Sequence, residues 1–221
     1  MATPAVSHSL GTDVSRCLQR VLPDLMGSCV EVPASMKDPE QKRQNRIYLT
    51  GFMGSGKSTI GPILANTLGY DFIDIDKAIE HETGQSVREI FQHRGEESFR
   101  TMERRLLQSL RTRDHLVISL GGGTIADPVS FPLIRESGVL IYLKTAPDQL
   151  FKRLHHKTDR PVLIDDSGER LNEDELRRRI QDLYTRREQF YEQADIIVPT
   201  DEHKLGVTVD QIVKRLSGLL D

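Results

Sequence analysis

Cysteine is scarce in this 221-residue sequence, which contains only Cys17 and Cys29. Two cysteines in a chain of this length do not make a disulfide framework, so we expect a reducing compartment. The sequence also lacks any apolar run near the roughly 20 residues of a membrane span. Its N-terminus lacks the apolar core of a signal peptide. These absences favour a cytoplasmic protein that does not bind membranes.

An excess of either charge is absent too. The formal net charge is −3, with 29% charged and 37% hydrophobic residues, which is ordinary for a globular protein. The chain as a whole therefore has no strong attraction for nucleic acid or for an anionic membrane surface. Any recognition must come from local charge.

Residues 1–45 differ from the rest of the chain. Apolar residues recur at helical spacing over 14–25 but are interrupted by Pro23, and a proline-containing, polar stretch typical of a linker follows. We predict a flexible N-terminal extension over 1–45 and a single folded domain over 46–221. An organelle transit peptide is the alternative for the extension, although such peptides avoid acidic residues and this one has Asp13, Asp24, Glu31, Asp38 and Glu40.

Short apolar runs alternate with longer amphipathic segments from residue 46 onward. This alternation predicts a parallel sheet covered by helices on both faces. The predicted strands are 47–50, 71–75, 116–120, 139–143 and 196–198. The predicted helices are 57–68, 86–111, 148–154 and 174–191. A sheet of this kind binds its ligands at the carboxyl ends of the strands, and the motifs described next fall at those ends.

A phosphate-binding motif occupies residues 51–58, which read Gly-Phe-Met-Gly-Ser-Gly-Lys-Ser. This run fits G-x-x-x-x-G-K-[ST] between a predicted strand and a predicted helix. The glycines let backbone N–H groups turn toward phosphate oxygens, and the helix N-terminus adds partial positive charge. Lys57 would contact the β- and γ-phosphates, and Ser58 would contact Mg²⁺. The motif predicts a nucleotide-binding P-loop.

Two carboxylates, Asp74 and Asp76, stand at the end of the second predicted strand. Residues two apart on a strand face the same side, so both carboxylates would face one side of the sheet. Asp74 could hold Mg²⁺ through water, and Asp76 could bind an acceptor hydroxyl and take its proton. The alternative is an acidic loop in contact with water.

Groups that suit an anionic acceptor follow further along the chain. Arg100 and Glu103 are three residues apart on a predicted helix, so they can pair and hold the guanidinium toward a carboxylate; a solvated ion pair is the alternative. Residues 121–123 are three glycines after an apolar strand. Their N–H groups could receive a carboxylate, or they could form only a tight bend. Arg187 would matter only if the fold turned it toward these glycines.

A stretch rich in charge and poor in apolar residues runs from 152 to 170 and includes Arg153 and Arg160. A mobile basic lid at this position would exclude water from the phosphates and bring in an arginine on closure. An exposed charged loop is the alternative.

Taken together, these pieces resemble shikimate kinase in order and roughly in spacing. The resemblance spans residues 47–198 and is carried by 51–59, 72–76, 84–103, 121–123, 160–163 and 187–191. It implies a five-stranded parallel sheet flanked by helices, as in nucleoside monophosphate kinases, with a mobile lid. It also implies transfer of phosphate from ATP to the 3-hydroxyl of shikimate, giving 3-phosphoshikimate and ADP, in chorismate biosynthesis.

The resemblance further implies roles for the residues at matching positions. Asp74 would bind Mg²⁺ through water, and the other ATP and Mg²⁺ contacts would come from Gly54, Ser55, Gly56, Lys57, Ser58, Thr59, Arg153 and Arg160. The shikimate site would comprise Asp76, Arg100, Glu103, Gly122, Gly123 and Arg187. Catalysis would depend on Lys57, on Asp76 as base at the 3-hydroxyl, and on Arg160 as lid arginine. The expected partners are shikimate and ATP, without nucleic acid or membrane, and we expect a monomer.

Two stretches depart from the family pattern. Residues 127–132 lack the Asn-Arg pair that this family often has after the triple glycine. Leu205 stands where a proline is usual in the adenine-side loop, which we place at 200–206.

Three alternatives to this interpretation differ in class. A related sugar-acid kinase such as gluconate kinase would share the P-loop but need not keep Asp76, Arg100 and Arg187 together. A kinase-like ligand-sensing domain attached to a DNA-binding module is disfavoured because too few residues precede the P-loop domain. A catalytically inactive homologue is disfavoured because Lys57, Asp76 and Arg160 are all present.

Overall fold

The computed structural model describes residues 45–156, 169–201 and 204–219. The predicted N-terminal extension lies outside the described residues except for its last position, Asn45. The middle of the predicted lid, including Arg160, also lies outside them. Both therefore stay predictions. Within the described ranges, no helix combines the length and the apolar character needed to cross a membrane.

A single parallel sheet of five strands organises the described part of the chain. The strands are β1 (Arg46–Thr50), β2 (Asp71–Asp74), β3 (Leu116–Ser119), β4 (Val139–Lys144) and β5 (Ile196–Pro199). They lie in the order β2-β3-β1-β4-β5, and every neighbouring pair is parallel. The predicted five-stranded parallel sheet is confirmed. Because β1 has β3 on one side and β4 on the other, a crevice opens at its carboxyl end, where the P-loop follows.

Seven helices and one short 3₁₀ turn accompany the sheet in the described ranges. The helices are α1 (Lys57–Leu68), α2 (Ile75–Thr83), α3 (Val87–Leu110), α4 (Ser130–Ser137), α5 (Pro147–Leu154), α6 (Glu173–Tyr191) and α7 (Leu205–Leu216). The 3₁₀ turn is Thr124–Ala126. Helices α1, α3, α5 and α6 match the four predicted ones within a residue at each end. Helices α2, α4 and α7 and the 3₁₀ turn were not predicted from the sequence.

The prediction that Asp76 ends a strand is wrong. Strand β2 ends at Asp74, whose carboxylate accepts a hydrogen bond from the backbone N–H of Lys77 at 3.2 Å and so caps helix α2. Asp76 lies in the first turn of that helix, where a carboxylate also interacts favourably with the helix dipole. The two carboxylates are therefore positioned by a helix cap and a helix turn rather than by strand alternation.

Helix α3 is broken at Gly95, which has φ 77° and ψ 167°. This region of backbone space is open essentially to glycine alone. The segment before the break begins at a capping box formed by Ser86 and Glu89. The segment after the break carries Arg100 and Glu103. One continuous stretch of chain thus presents two helix segments with different directions to the carboxyl edge of the sheet.

The hydrophobic core lies between the central strands and the helices that flank them. Strands β1 and β4 are buried along almost their whole length, as expected for a parallel sheet with both faces covered. Helices α1 and α7 pack on one part of this core through Ile60, Leu64, Ala65, Val209, Ile212 and Leu216. A rigid sheet edge results, from which the loops of the site extend.

Arg46, at the amino end of β1, is a buried cation with 3% of its surface exposed. Its guanidinium donates hydrogen bonds to four backbone carbonyls, those of Leu110 at 3.2 Å, Arg113 at 2.9 Å, Ser137 at 3.0 Å and Arg111. Three of these follow or end helix α3, where carbonyls have no partner within the helix. Arg46 therefore ties the ends of α3 and α4 to the central strand.

We expect Arg46→Met to lower the free energy of unfolding by about 2–4 kcal/mol, because the carbonyls of Arg111, Arg113 and Ser137 lose this donor in a buried or half-buried setting. Urea denaturation measures the loss. The matched control is Arg105→Met, which removes an exposed guanidinium from α3 and should change stability by less than about 0.5 kcal/mol. Equal losses in the two variants would show that Arg46 does not have this role.

Candidate active site

The carboxyl ends of the strands border a cavity of about 680 Å³. Most of the predicted site residues line it: Gly54, Gly56, Lys57, Ser58, Thr59, Asp74, Asp76, Arg100, Gly122, Gly123, Arg153 and Arg187. Ser55 and Glu103 are buried, with 1% and 0% of their surface exposed. The fold therefore brings residues from six separated stretches of sequence to one cavity.

The P-loop wraps around the N-terminus of α1. Gly51, Gly54 and Gly56 have positive φ angles of 139°, 85° and 106°, which only glycine adopts without strain. The Lys57 ammonium donates to the carbonyl of Gly51 at 2.7 Å and to that of Phe52 at 3.2 Å. The lysine thus folds back over the loop, and its charge lies where the phosphate oxygens of a nucleotide would enter.

Two side-chain oxygens that could bind a metal lie close together beside the P-loop. The Ser58 hydroxyl donates to a carboxylate oxygen of Asp74 at 3.2 Å. Hydroxyl and carboxylate oxygens suit Mg²⁺, which keeps several waters and binds few protein groups when phosphates are present. Within the described part of the chain, no cluster of three or more acidic, histidine or cysteine side chains could hold a metal by itself. This pair fits a metal shared with a nucleotide.

Asp76 lies deeper in the cavity, with its carboxylate near Gly121. Burial raises the pKa of Asp76 to about 6, and repulsion from Asp74 and Glu103 adds to the effect, while Lys57 opposes it. A carboxylate with a pKa close to neutral can both exist as the base and hold a transferred proton. Its environment therefore suits proton abstraction.

Arg100 is held in a fixed orientation by two carboxylates. Its guanidinium donates to Glu103 at 2.5 Å and to Glu96 at 3.0 Å. Burial alone would lower the pKa of Arg100, but these two carboxylates raise it. Glu103 is fully buried, so its charge is screened little by solvent. The cation is thus permanently charged and directed at the cavity from a buried support.

Arg187 reaches the same region from helix α6. Its guanidinium lies 6.0 Å from the centre of the Phe52 ring and 3.1 Å from the point that a Cβ atom on Gly122 would occupy. The Tyr191 hydroxyl, one turn further along, donates to the Gly122 carbonyl at 2.7 Å, and its ring stacks on Tyr142. The fold does turn Arg187 toward the triple glycine, which was the condition for its involvement.

Each glycine of the triple run faces a different charged side chain. A Cβ atom on Gly121 would lie 2.8 Å from the Asp76 carboxylate, and one on Gly122 would lie 3.1 Å from the Arg187 guanidinium. A Cβ on Gly123 would overlap the Arg100 guanidinium. Charged side chains of the cavity thus lie close to all three glycines, and a larger residue at any of these positions would have to displace one of them.

Arg153 connects the P-loop to the end of β5. It donates to the carbonyl of Gly54 at 3.1 Å and to that of Thr200 at 3.0 Å. The loop predicted over 200–206 is wrong at its end, because Leu205 begins helix α7. Residues 202 and 203 lie outside the described residues.

Sequence reasoning missed residues that the structure adds to the site. Val87 and Phe91 line the cavity from the first segment of α3, and their spacing of four residues was a signal that they share a helix face. Tyr191 and Thr124 contact the glycine run through side-chain hydroxyls. For these two, no local pattern in the sequence indicated the contact.

This arrangement defines a class: a P-loop kinase, in which a phosphate cradle and a second, cation-lined region share one cavity. Comparison with known proteins gives the family. The model of the family described as Shikimate kinase matches residues 53–217. The chain therefore belongs to the shikimate kinase family.

Relatives and solved structures agree with this assignment. The chain is 47% identical over 176 residues to a shikimate kinase of Chlorobium chlorochromatii, covering 80% of this chain and 93% of the relative. A crystal structure of shikimate kinase from Bacteroides thetaiotaomicron matches with a TM-score of 0.71 and 36% identity, covering 78% of this chain and 98% of that one. Shikimate kinase from Acinetobacter baumannii in complex with shikimate also matches with a TM-score of 0.71, at 31% identity, covering 81% and 97%.

Proposed function

We propose that this chain transfers the γ-phosphoryl group of ATP to the 3-hydroxyl of shikimate, giving 3-phosphoshikimate and ADP, a step of chorismate biosynthesis. The observation that carries the proposal is the single cavity of about 680 Å³ that joins the P-loop to Asp76, Arg100 and Arg187. A nucleotide and a carboxylate-bearing acceptor would meet there.

ATP would occupy the P-loop side of the cavity. Its phosphates would accept hydrogen bonds from the backbone of the loop, and Lys57 would exchange its carbonyl partners for phosphate oxygens. The P-loop contacts would come from Gly54, Ser55, Gly56, Lys57, Ser58 and Thr59. Arg153, between Gly54 and Thr200, would lie beside the adenine.

Mg²⁺ would bind to the Ser58 hydroxyl directly and to Asp74 through water. The 3.2 Å separation of these two oxygens supports this assignment. When bound, the ion would neutralise charge on the β- and γ-phosphates. Arg160 would reach the transferring phosphate from the lid.

Shikimate would occupy the other side, with its carboxylate between Arg100 and Arg187. In the described part of the chain, the N–H groups of Gly122 and Gly123 donate to no other backbone or side-chain atom, so they would be available to the same carboxylate. Glu103 would support Arg100 from behind. A planar guanidinium matches a carboxylate with two parallel hydrogen bonds.

In the reaction, Asp76 would accept the proton of the 3-hydroxyl as its oxygen forms a bond to the γ-phosphorus. The bond between that phosphorus and the β,γ-bridging oxygen breaks, and ADP leaves with the electron pair. Lys57 would stabilise the charge that develops on the transferred group. Positioning and charge neutralisation account for most catalysis of this kind.

We further propose that the enzyme works in the cytoplasm as a monomer, with residues 1–45 outside the catalytic domain.

We expect Arg187→Lys to raise the KM for shikimate about tenfold or more, near 1.4 kcal/mol, because lysine cannot reproduce a bidentate carboxylate contact. The KM for ATP should change little. Release of ADP, measured by a coupled assay with shikimate and gluconate in parallel, tests both the residue and the acceptor.

The matched control is Arg186→Lys, which makes the same change on the exposed side of α6 and should leave both KM values unaltered. If wild-type enzyme prefers gluconate, the acceptor assignment is wrong and only the P-loop kinase stands. If it prefers shikimate but Arg187→Lys leaves the KM for shikimate unchanged, the shikimate carboxylate binds elsewhere.

A further inference from the structure

Thr124, which directly follows the triple glycine, has a fully buried side chain. Its hydroxyl oxygen lies 2.5 Å from a carboxylate oxygen of Glu103 and 3.0 Å from the carbonyl of Gly121. A hydroxyl has one proton to donate. The shorter contact, to a charged acceptor, has the length of a charge-assisted O–H···O⁻ bond, about 2.5–2.7 Å. Thr124 therefore donates to Glu103.

With this bond, both oxygens of the Glu103 carboxylate have a hydrogen-bond donor. One oxygen accepts from Arg100 at 2.5 Å and the other accepts from Thr124. Because Glu103 is fully buried, water cannot replace a missing donor without structural change. A buried carboxylate oxygen without a partner is strongly destabilised. Repulsion between Asp76 and Glu103 makes a donor at the Glu103 carboxylate still more necessary.

Arg100 depends on Glu103 more than on its second partner. The side chain of Glu96 is 64% exposed, whereas that of Glu103 is 0% exposed. Exposed ion pairs contribute little to fixing a side chain because solvent screens them. The Arg100 guanidinium also lies so close to Gly123, the residue before Thr124, that a Cβ atom there would overlap it. A small rotation of Glu103 would therefore move Arg100 relative to the glycine backbone.

We infer that Thr124 is a positioning residue for the acceptor site: its hydroxyl fixes Glu103, which in turn fixes the Arg100 guanidinium toward the acceptor carboxylate. This inference rests on the proposed function. It assigns a specificity role to a residue that is not among those lining the cavity.

The segment after the triple glycine has a second attachment to α3, which supplies a control. Arg104 donates to both carboxylate oxygens of Asp127, at 3.1 Å and 2.7 Å. The buried Ser130 hydroxyl donates to the same carboxylate at 2.6 Å. This cluster holds the segment in place but its contacts do not include Arg100. Loss of the Ser130 hydroxyl should therefore affect stability without affecting acceptor binding.

The decisive experiment compares Thr124→Val with Thr124→Ser. Valine keeps the volume of the side chain and removes the donor, so the shikimate Kd, measured by calorimetry without nucleotide, and the shikimate KM should both rise about tenfold. The KM for ATP should stay within a factor of about two, because the P-loop is unchanged. Serine keeps the hydroxyl and should restore shikimate binding to within about twofold. Ser130→Ala should lower the melting temperature and leave the shikimate Kd unchanged.

A double-mutant cycle tests whether Thr124 acts through Arg100. In an Arg100→Lys background, Thr124→Val should raise the shikimate Kd by less than about twofold, because the group that it positions is already altered. Independent, multiplying effects would overturn the inference. If Thr124→Val does not fold, Thr124→Cys replaces it, because its S–H group is only a weak donor. The shikimate Kd of Thr124→Cys should then be higher than that of the wild type and of Thr124→Ser, but raised by less than about tenfold.

The possible failures are distinguishable. Normal phosphorylation of shikimate by wild type, with an unchanged Kd in Thr124→Val, would overturn the role of Thr124 alone. Wild-type enzyme that does not bind shikimate would overturn the proposed function together with this inference. An equal rise in the KM of both substrates would indicate a general structural defect and would also count against Thr124 as a positioning residue.

Discussion

Replacing Lys57 with alanine is expected to lower kcat by about 10²–10³, which corresponds to about 3–4 kcal/mol of lost transition-state stabilisation. Lys57 lines the cavity, and its ammonium already lies over the carbonyls of Gly51 and Phe52. Negative charge that develops on the transferred phosphoryl would be stabilised by this group. Steady-state kinetics at saturating ATP and shikimate measure the loss.

Lys214→Ala provides the matched control for Lys57→Ala. It removes an exposed ammonium from helix α7 and should leave kcat unchanged. Thermal unfolding should confirm that Lys57→Ala is folded, since Lys57 is half-buried and lines the cavity rather than the hydrophobic core. Turnover within about threefold of wild type in a folded Lys57→Ala enzyme would contradict the P-loop assignment.

The parts of the fold that depend on local sequence could be predicted. Strands β1, β3, β4 and β5 were recognisable because parallel strands covered on both faces are continuous apolar runs, whereas β2 offers only Phe72 and Ile73 between two aspartates. The P-loop was recognisable because its glycines and lysine sit at fixed spacing between a strand and a helix. Family resemblance supplied the rest of the predicted site. All of its described residues either line the cavity or, as with Ser55 and Glu103, are buried.

Other parts depended on contacts that local patterns do not report. The alternation of Asp74, Ile75 and Asp76 is typical of a strand. In the structure a helix begins there instead, because the Asp74 carboxylate accepts a capping hydrogen bond from the backbone N–H of Lys77. Helix α7 has apolar residues at Val209, Ile212 and Leu216 with helical spacing, a signal that could have found it. Thr124 gave no signal, because its partner Glu103 is 21 residues away in sequence.

The raised pKa of Asp76 has consequences for both activity and stability. Its carboxylate has a pKa of about 6 in the folded chain, against about 3.9 in an unfolded one. Below pH 6 the carboxylate of Asp76, the proposed base, is increasingly protonated, so kcat/KM should fall with an apparent pKa near 6. The ionised group is less favourable in the folded chain than in the unfolded one. This destabilisation is absent below about pH 4, develops between pH 4 and 6, and is complete above pH 6, reaching at most about 3 kcal/mol.

Asp76→Asn should therefore lower kcat by about 10²–10⁴ and at the same time stabilise the fold at pH 7–8. The amide keeps the shape of the side chain but carries no charge and accepts no proton, so the acid limb of the pH–rate profile should disappear with the activity. Kinetics from pH 5 to 8 and urea denaturation at pH 3.5 and 7.5 measure the two effects, and the gain in stability should vanish at the lower pH.

Asp182→Asn, which neutralises an exposed carboxylate on α6, should change neither quantity. A large loss of kcat without the pH-dependent gain in stability would mean that Asp76 is not in the buried, repulsive environment described here, and unchanged kcat would exclude it as the base.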